Sequence, residues 1–243
     1  MKNSSNILIT VVFDNYKVNS ELRTSWGFGC VVEIEDQQIL FDTGGNGEIL
    51  LLNMNDLEID PSKIDFVFLS HSHDDHTGGL MDFLETNSRV SVYPLKSFPE
   101  SLKTQMTSTG AGLIEVDEPL EITNNVYSTG EMVERQAEHS MVIKSSKGLI
   151  IITGCAHPGI INIIKKAKEL YGDEVFLVMG GFHLNGLSEA ELRDIAKKFK
   201  MLGVKKVAPS HCSGDLTRKI FQEIYDKNYI ESGVGAIIAI AVK

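Results

Sequence analysis

A continuous apolar run, Ile64–Leu69, leads straight into Ser70-His71-Ser72-His73-Asp74-Asp75-His76-Thr77-Gly78-Gly79. An apolar run of that length suits a strand buried on both faces. A loop leaving the C-terminal end of such a strand is where the sites of mixed sheets collect. Residues 71–76 hold three histidines and two aspartates. That cluster is electrostatically costly without a cation. In extended backbone, residues two apart point the same way, so His71 and His73 can reach one ion. Asp75 and His76 follow as the chain turns toward Gly78-Gly79 and can face a second. Imidazole with carboxylate is the ligand set that borderline divalent metals select.

The other elements are read around that loop. Strand patterns cover Ile7–Phe13, Cys30–Ile34, Gln38–Phe41, Val90–Tyr93, Ile122–Ser128, Met141–Ser145, Leu149–Thr153, Val175–Met179, Val204–Ala208 and Ala236–Val242. Pro158 opens a helix whose apolar stripe runs from Ile160 to Leu170 and stops at Gly172. Ser188-Glu189-Ala190-Glu191 is a capping box, with Gly203 ending that helix, and Leu216–Tyr225 is a third amphipathic stretch. Strand blocks interrupted by helices in both halves predict two packed sheets flanked by helices, in one domain spanning 1–243.

Composition limits the function classes. Hydrophobic residues at 42% and charged residues at 23% are the proportions of a soluble globular protein, not of a disordered or fibrous one. The formal net charge is −10, and the lysines of 165–168, 197–200 and 205–206 read as solvated helix and loop faces. No basic stripe is present to displace counterions from nucleic acid, so none is expected as a partner. The longest near-apolar stretch, Gly233–Val242, is about half the roughly 20 residues a membrane span needs. The apolar run Ile7–Phe13 is too short for a secretion signal. Cys30, Cys155 and Cys212 make no disulfide framework. A cytoplasmic protein is expected, with its oligomeric state unreadable.

His71-x-His73-x-Asp75-His76 resembles the HxHxDH signature of the metallo-β-lactamase fold superfamily. Leu40-Phe41-Asp42-Thr43-Gly44-Gly45 is similar to that family's first motif. Gly154-Cys155-Ala156-His157-Pro158-Gly159, Gly180-Gly181-Phe182-His183-Leu184 and Ser210-His211-Cys212-Ser213-Gly214 resemble one subgroup of it. The subgroup includes dihydropterin ribofuranosylaminobenzene 5′-phosphate synthase and relatives described as metal-dependent hydrolases. The resemblance implies an α/β fold, a four-layer αββα sandwich of two mixed sheets flanked by helices. It implies two divalent ions, zinc first with manganese or iron as alternatives. His71, His73 and His157 would serve one ion, and Asp75, His76 and His211 the other. Asp42 would orient a metal histidine, and Asp75 would also position the nucleophile. Where many members carry Gly-Asp, this chain has Gly154-Cys155, leaving Cys155 either a soft ligand or a packing residue.

His183 follows Gly180-Gly181 and is read as a substrate-facing histidine able to hold an oxyanion or donate a proton. His139 lacks a glycine-rich or strand-end setting and is left out of the site. The expected activity is metal-dependent hydrolysis of a phosphoester or similar small anionic substrate. The alternatives are transfer, condensing a dihydropterin pyrophosphate with ribofuranosylaminobenzene 5′-phosphate, and a metal-binding sensor without turnover.

Overall fold

The structure, a computed structural model, describes residues 7–172 and 174–241. Val242, the last residue of the expected strand Ala236–Val242, lies outside the described residues. Two compact units are present: Met1–Asp117 with Gly233–Lys243, and Glu118–Ser232.

The first unit contains β1 (Ile7–Asp14), β2 (Phe28–Ile34), β3 (Gln37–Phe41), α1 (Gly47–Asp56), β4 (Phe66–Phe68), the single turn α2 (Asp74–Thr77), α3 (Leu80–Thr86), β5 (Ser91–Tyr93), α4 (Glu100–Ser108) and β6 (Gly112–Leu113). Its strands form one sheet in the order C-terminal strand (Ile237–Ile240), β1, β2, β3, β4, β5, β6. The first three pairings are antiparallel and the rest parallel. β3 and β4 therefore release their loops at the same edge. The run Ile64–Leu69 yields a strand of only three residues, because Ile64 closes the turn Pro61–Lys63 and Asp65 is exposed. Val67, Phe68 and Leu69 are fully buried. α1 packs on β1 and on α3, and α3 packs on α4.

The second unit runs β7 (Leu120–Thr123), β8 (Val126–Ser128), β9 (Met132–Val133), β10 (Ala137–Glu138), β11 (Met141–Ser145), β12 (Gly148–Thr153), α5 (Ile160–Tyr171), β13 (Val175–Gly181), α6 (Glu189–Met201), β14 (Lys206–Ser210) and α7 (Asp215–Tyr225). Its main sheet has the order β14, β13, β12, β11, β8, β7, and β9 pairs only with β10. β12, β13 and β14 are parallel neighbours. The expected strand Ile122–Ser128 is two strands, since Asn125 turns the chain at φ 63°, a conformation asparagine tolerates. The expected strand Val204–Ala208 begins two residues later, because the Val204 N–H donates to Phe199 O to close α6. α5, α6 and α7 bury Ile163, Ile164, Leu192, Phe199, Ile220 and Phe221 in one core with Val142, Ile151, Val178 and Val207. The capping box at Ser188 and Glu191 is formed.

Candidate metal centre

In the first unit, Asp42 directly follows β3, and His71 follows β4 after Leu69 and Ser70. The Phe41 and Phe68 rings stack with centroids 5.3 Å apart, and Phe28 meets Phe41 edge-on at 6.2 Å. Both loops thus leave from a packed aromatic floor. Asp42 is fully buried. Its Oδ1 accepts from the Ser70 N–H at 2.7 Å, its Oδ2 accepts from the Ser70 hydroxyl at 2.7 Å, and Oδ2 lies 2.7 Å from His76 Nδ1.

These contacts fix the histidine tautomers. Ser70 gives its own proton to Asp42, so in its 2.8 Å contact with His71 Nδ1 the ring is the donor. His76 likewise donates from Nδ1 to Asp42. Both rings then present a lone pair at Nε2, the arrangement in which a carboxylate or hydroxyl behind a histidine readies it as a ligand. His71 Nε2 converges on His73 Nδ1 at 3.1 Å, and the His71 and His76 ring centroids are 4.2 Å apart. Asp75 brings Oδ2 to 3.7 Å from His76 Nε2. Thr43 locks the loops together, its N–H and hydroxyl both donating to His76 O at 2.8 and 2.9 Å. Gly44 is required beside it: its φ is 65°, and a Cβ would fall 2.3 Å from the Phe13 ring.

Burial pushes the Asp42 carboxyl above the usual carboxylate range, while the charge and hydrogen bond of His76 and the bonds from Ser70 oppose that rise. Asp42→Asn keeps the shape but puts an NH2 group against donors on one side. Metal affinity is expected to fall roughly 10- to 100-fold as His76 loses its anchor. Chelator competition checks this, and an unchanged affinity would reduce Asp42 to a packing role.

In the second unit the loop after β12 is organised by Glu138, a fully buried carboxylate on β10. Its Oε1 accepts from the N–H groups of Gly154, Cys155 and Ala156 at 3.1, 3.0 and 2.8 Å. Its Oε2 accepts from the His157 N–H at 2.9 Å and lies 2.9 Å from His157 Nδ1. His157 is thereby also protonated on Nδ1, with its lone pair on Nε2. Sequence reasoning missed Glu138, and no local signal marks it. Its neighbour His139 is fully buried, with Nδ1 2.7 Å from Ser128 Oγ, and is part of the core.

His183 follows β13, exposed, with its ring centroid 4.6 Å from that of His157. His211, buried, follows β14 immediately. Cys155 and Cys212 are both buried, and neither is in a disulfide. A hydrogen bond with Cys212 raises the His183 imidazole above its usual range, against the effect of burial. Burial pushes Cys212 up, but hydrogen bonds with Cys155 and His183 and the charge of His211 outweigh it and hold the thiol well below its ordinary range. Asp42, Ala156, His183 and His211 all have positive φ, of 52, 64, 51 and 47°. Such strain costs about 1–3 kcal/mol per residue and gathers where function needs it.

A family model for the metallo-beta-lactamase superfamily matches residues 30–158, more than half of the chain. The chain belongs to the metallo-beta-lactamase superfamily. Among its relatives, the 7,8-dihydropterin-6-methyl-4-(beta-D-ribofuranosyl)-aminobenzene-5'-phosphate synthase of Methanocaldococcus jannaschii is 29% identical, the match covering 96% of each chain. The uncharacterized protein MJ0448 of the same organism is 30% identical over 96% of this chain and 100% of its own. A crystal structure of Tm1679, a metal-dependent hydrolase of the beta-lactamase superfamily, superposes with TM-score 0.80 at 28% identity. That superposition covers 97% of this chain and 99% of the other. The α/β class with two mixed sheets is thus the superfamily's fold. Its members typically bind divalent metals, and the residues present fit that. Three imidazoles, His71, His76 and His157, each have Nδ1 held by a hydrogen bond.

Proposed function

We propose that this chain is a metal-dependent enzyme hydrolysing a phosphoester or similar small anionic substrate. Two divalent ions, zinc by preference, would be held by His71, His73, Asp75, His76, His157 and His211. One observation supports the reading: hydrogen bonds to Ser70, Asp42 and Glu138 hold Nδ1 of His71, His76 and His157, as is usual for histidines that ligate metal. Beyond holding an ion, the Asp75 carboxylate is partly open to solvent beside His76 and can take a proton from an attacking water, a role a sensor does not need. The chemistry such ions would supply when bound is a lowered pKa of water, toward neutrality, and withdrawal of charge from a phosphoryl oxygen. The N-terminus of α5, opening two residues beyond Pro158, offers backbone N–H groups and a favourable dipole to a substrate phosphate close to His157. The three free cysteines, with no disulfide formed, support a reducing, cytoplasmic setting.

Transfer is the second reading, supported by the synthase relative that matches along nearly the whole chain. The same residues would serve it, with Asp75 deprotonating the attacking substrate and the α5 N-terminus binding the departing pyrophosphate.

The test is metal analysis of the purified protein with a phosphomonoester and phosphodiester screen. At least two equivalents of metal with ester hydrolysis is the expected result. Metal at that level without hydrolysis would favour transfer. Fewer than two equivalents after reconstitution would overturn the ligand assignment.

A further inference from the structure

We propose that Cys155, His183 and Cys212 form a further site for one thiophilic cation, of the zinc, cadmium or copper(I) kind. The argument begins with strand register. β12, β13 and β14 are adjacent and parallel, pairing Thr153 with Gly180, Gly180 with Pro209, and Gly181 with Ser210. Each of the three donors stands two residues beyond the last residue of its strand: Thr153 to Cys155, Gly181 to His183, Ser210 to Cys212. β13 and β14 end in register and β12 ends one position short of them, and since parallel strands lie about 4.8 Å apart, the three loops leave side by side from one edge. Their Sγ and ring nitrogen atoms all fall within 4.8 Å of one another.

Local structure holds them there. His183 takes a left-handed backbone conformation immediately beyond its strand. Gly181 lets the neighbouring loops close on it, since a Cβ would lie 2.3 Å from Gly154 O, 2.7 Å from Cys212 Sγ and 3.2 Å from Cys155 Cα. The Thr153 hydroxyl donates to Gly181 O at 2.7 Å, and the Phe182 N–H donates to Ser213 Oγ at 3.0 Å, stitching the three loops together. Bond lengths of about 2.3 Å to sulfur and about 2.0–2.1 Å to nitrogen require only a modest contraction of this trio. Two thiolates and an imidazole select soft or borderline cations over magnesium, calcium or manganese. The cysteines are buried and His183 is exposed, so the imidazole side is the entry path and leaves a fourth position open. None of these donors is among the six of the proposed catalytic set, although Cys155 Sγ also lies within 4.8 Å of a ring nitrogen of His211, so the site adjoins that set. It also replaces the substrate-facing role expected of His183.

Cobalt(II) titration of the purified full-length protein tests it, because thiolate–cobalt charge transfer absorbs in the near ultraviolet. The expected result is a two-thiolate band whose limiting intensity corresponds to one thiolate-bound cobalt per chain, the six donors of the proposed catalytic set adding no thiolate absorption. The band persists in His73→Ala and Cys30→Ser and drops by about half or more in Cys212→Ser. His183→Asn, at an exposed position where asparagine tolerates the left-handed backbone, should weaken the cobalt affinity behind the band. The loss should exceed the roughly 10- to 100-fold that removing a group behind a ligand costs. Absence of a band in the wild-type chain would overturn the proposal. So would a band lost in Cys155→Ser but unchanged in both Cys212→Ser and His183→Asn, which would assign Cys155 to another donor set.

Discussion

His73→Ala is expected to remove bound metal and reduce turnover by a factor on the order of a thousand or more, about 4 kcal/mol of transition-state stabilisation. The fold should be spared. His73 is exposed, precedes α2, and makes no side-chain capping bond there. What it gives α2 is its carbonyl, which accepts from the His76 and Thr77 N–H groups at 3.0 and 3.1 Å and which alanine retains. Surface substitutions of this kind change stability by about 0.5 kcal/mol or less. The His73 ring, by contrast, points Nδ1 at His71 Nε2 from 3.1 Å. Metal analysis, calorimetric unfolding and an activity assay separate the two effects. Lost activity with full metal content would sink the ligand assignment. A large loss of stability would mean that the ring supports the loop.

The clean signal in the sequence was the histidine loop, because it is local: an apolar run, then six residues whose types are costly to cluster. The same holds for Asp42 beside a double glycine and for the capping box at Ser188. What escaped depends on tertiary register. Glu138 sits on a strand of two residues, and its four N–H partners lie 16 to 19 positions along the chain. The alignment of Cys155, His183 and Cys212 follows from three strand ends that no single segment displays. α1 was hidden for another reason. Its buried face is Gly47, Leu50, Asn53 and Met54, so a polar residue holds a core position while Leu51 and Leu52 stand outside that face. Asn53 is tolerated there because its amide donates to Val12 O and Arg23 O and accepts from the Arg23 N–H. α4 buries only Lys103 and Met106, too few apolar positions for a helical stripe to register.

Glu138→Ala should be the most destabilising single change in the second unit. It strands four N–H groups, three of them buried, and the Nδ1 proton of His157 at once. Leaving a buried donor without its acceptor costs about 1–3 kcal/mol, but these losses share one loop and will not add in full. Removing one partner from a buried charged network costs about 3–5 kcal/mol, and that is the expected loss. For a chain of this size it corresponds to a fall in Tm on the order of 10 °C. Glu138→Gln separates packing from ligand orientation. It fills the same space, but only one end of the amide can accept. If its oxygen faces Gly154, Cys155 and Ala156, its NH2 group meets the His157 N–H and ring proton. The backbone loop would then survive while His157 loses the acceptor that fixes its tautomer. Glu138→Gln should therefore melt closer to the wild-type chain than Glu138→Ala does, yet bind metal roughly 10- to 100-fold more weakly. Thermal unfolding paired with chelator competition reads both quantities. Equal metal affinity in Glu138→Gln and the wild type would confine Glu138 to holding the backbone. The Nε2 lone pair of His157 would then owe nothing to that carboxylate.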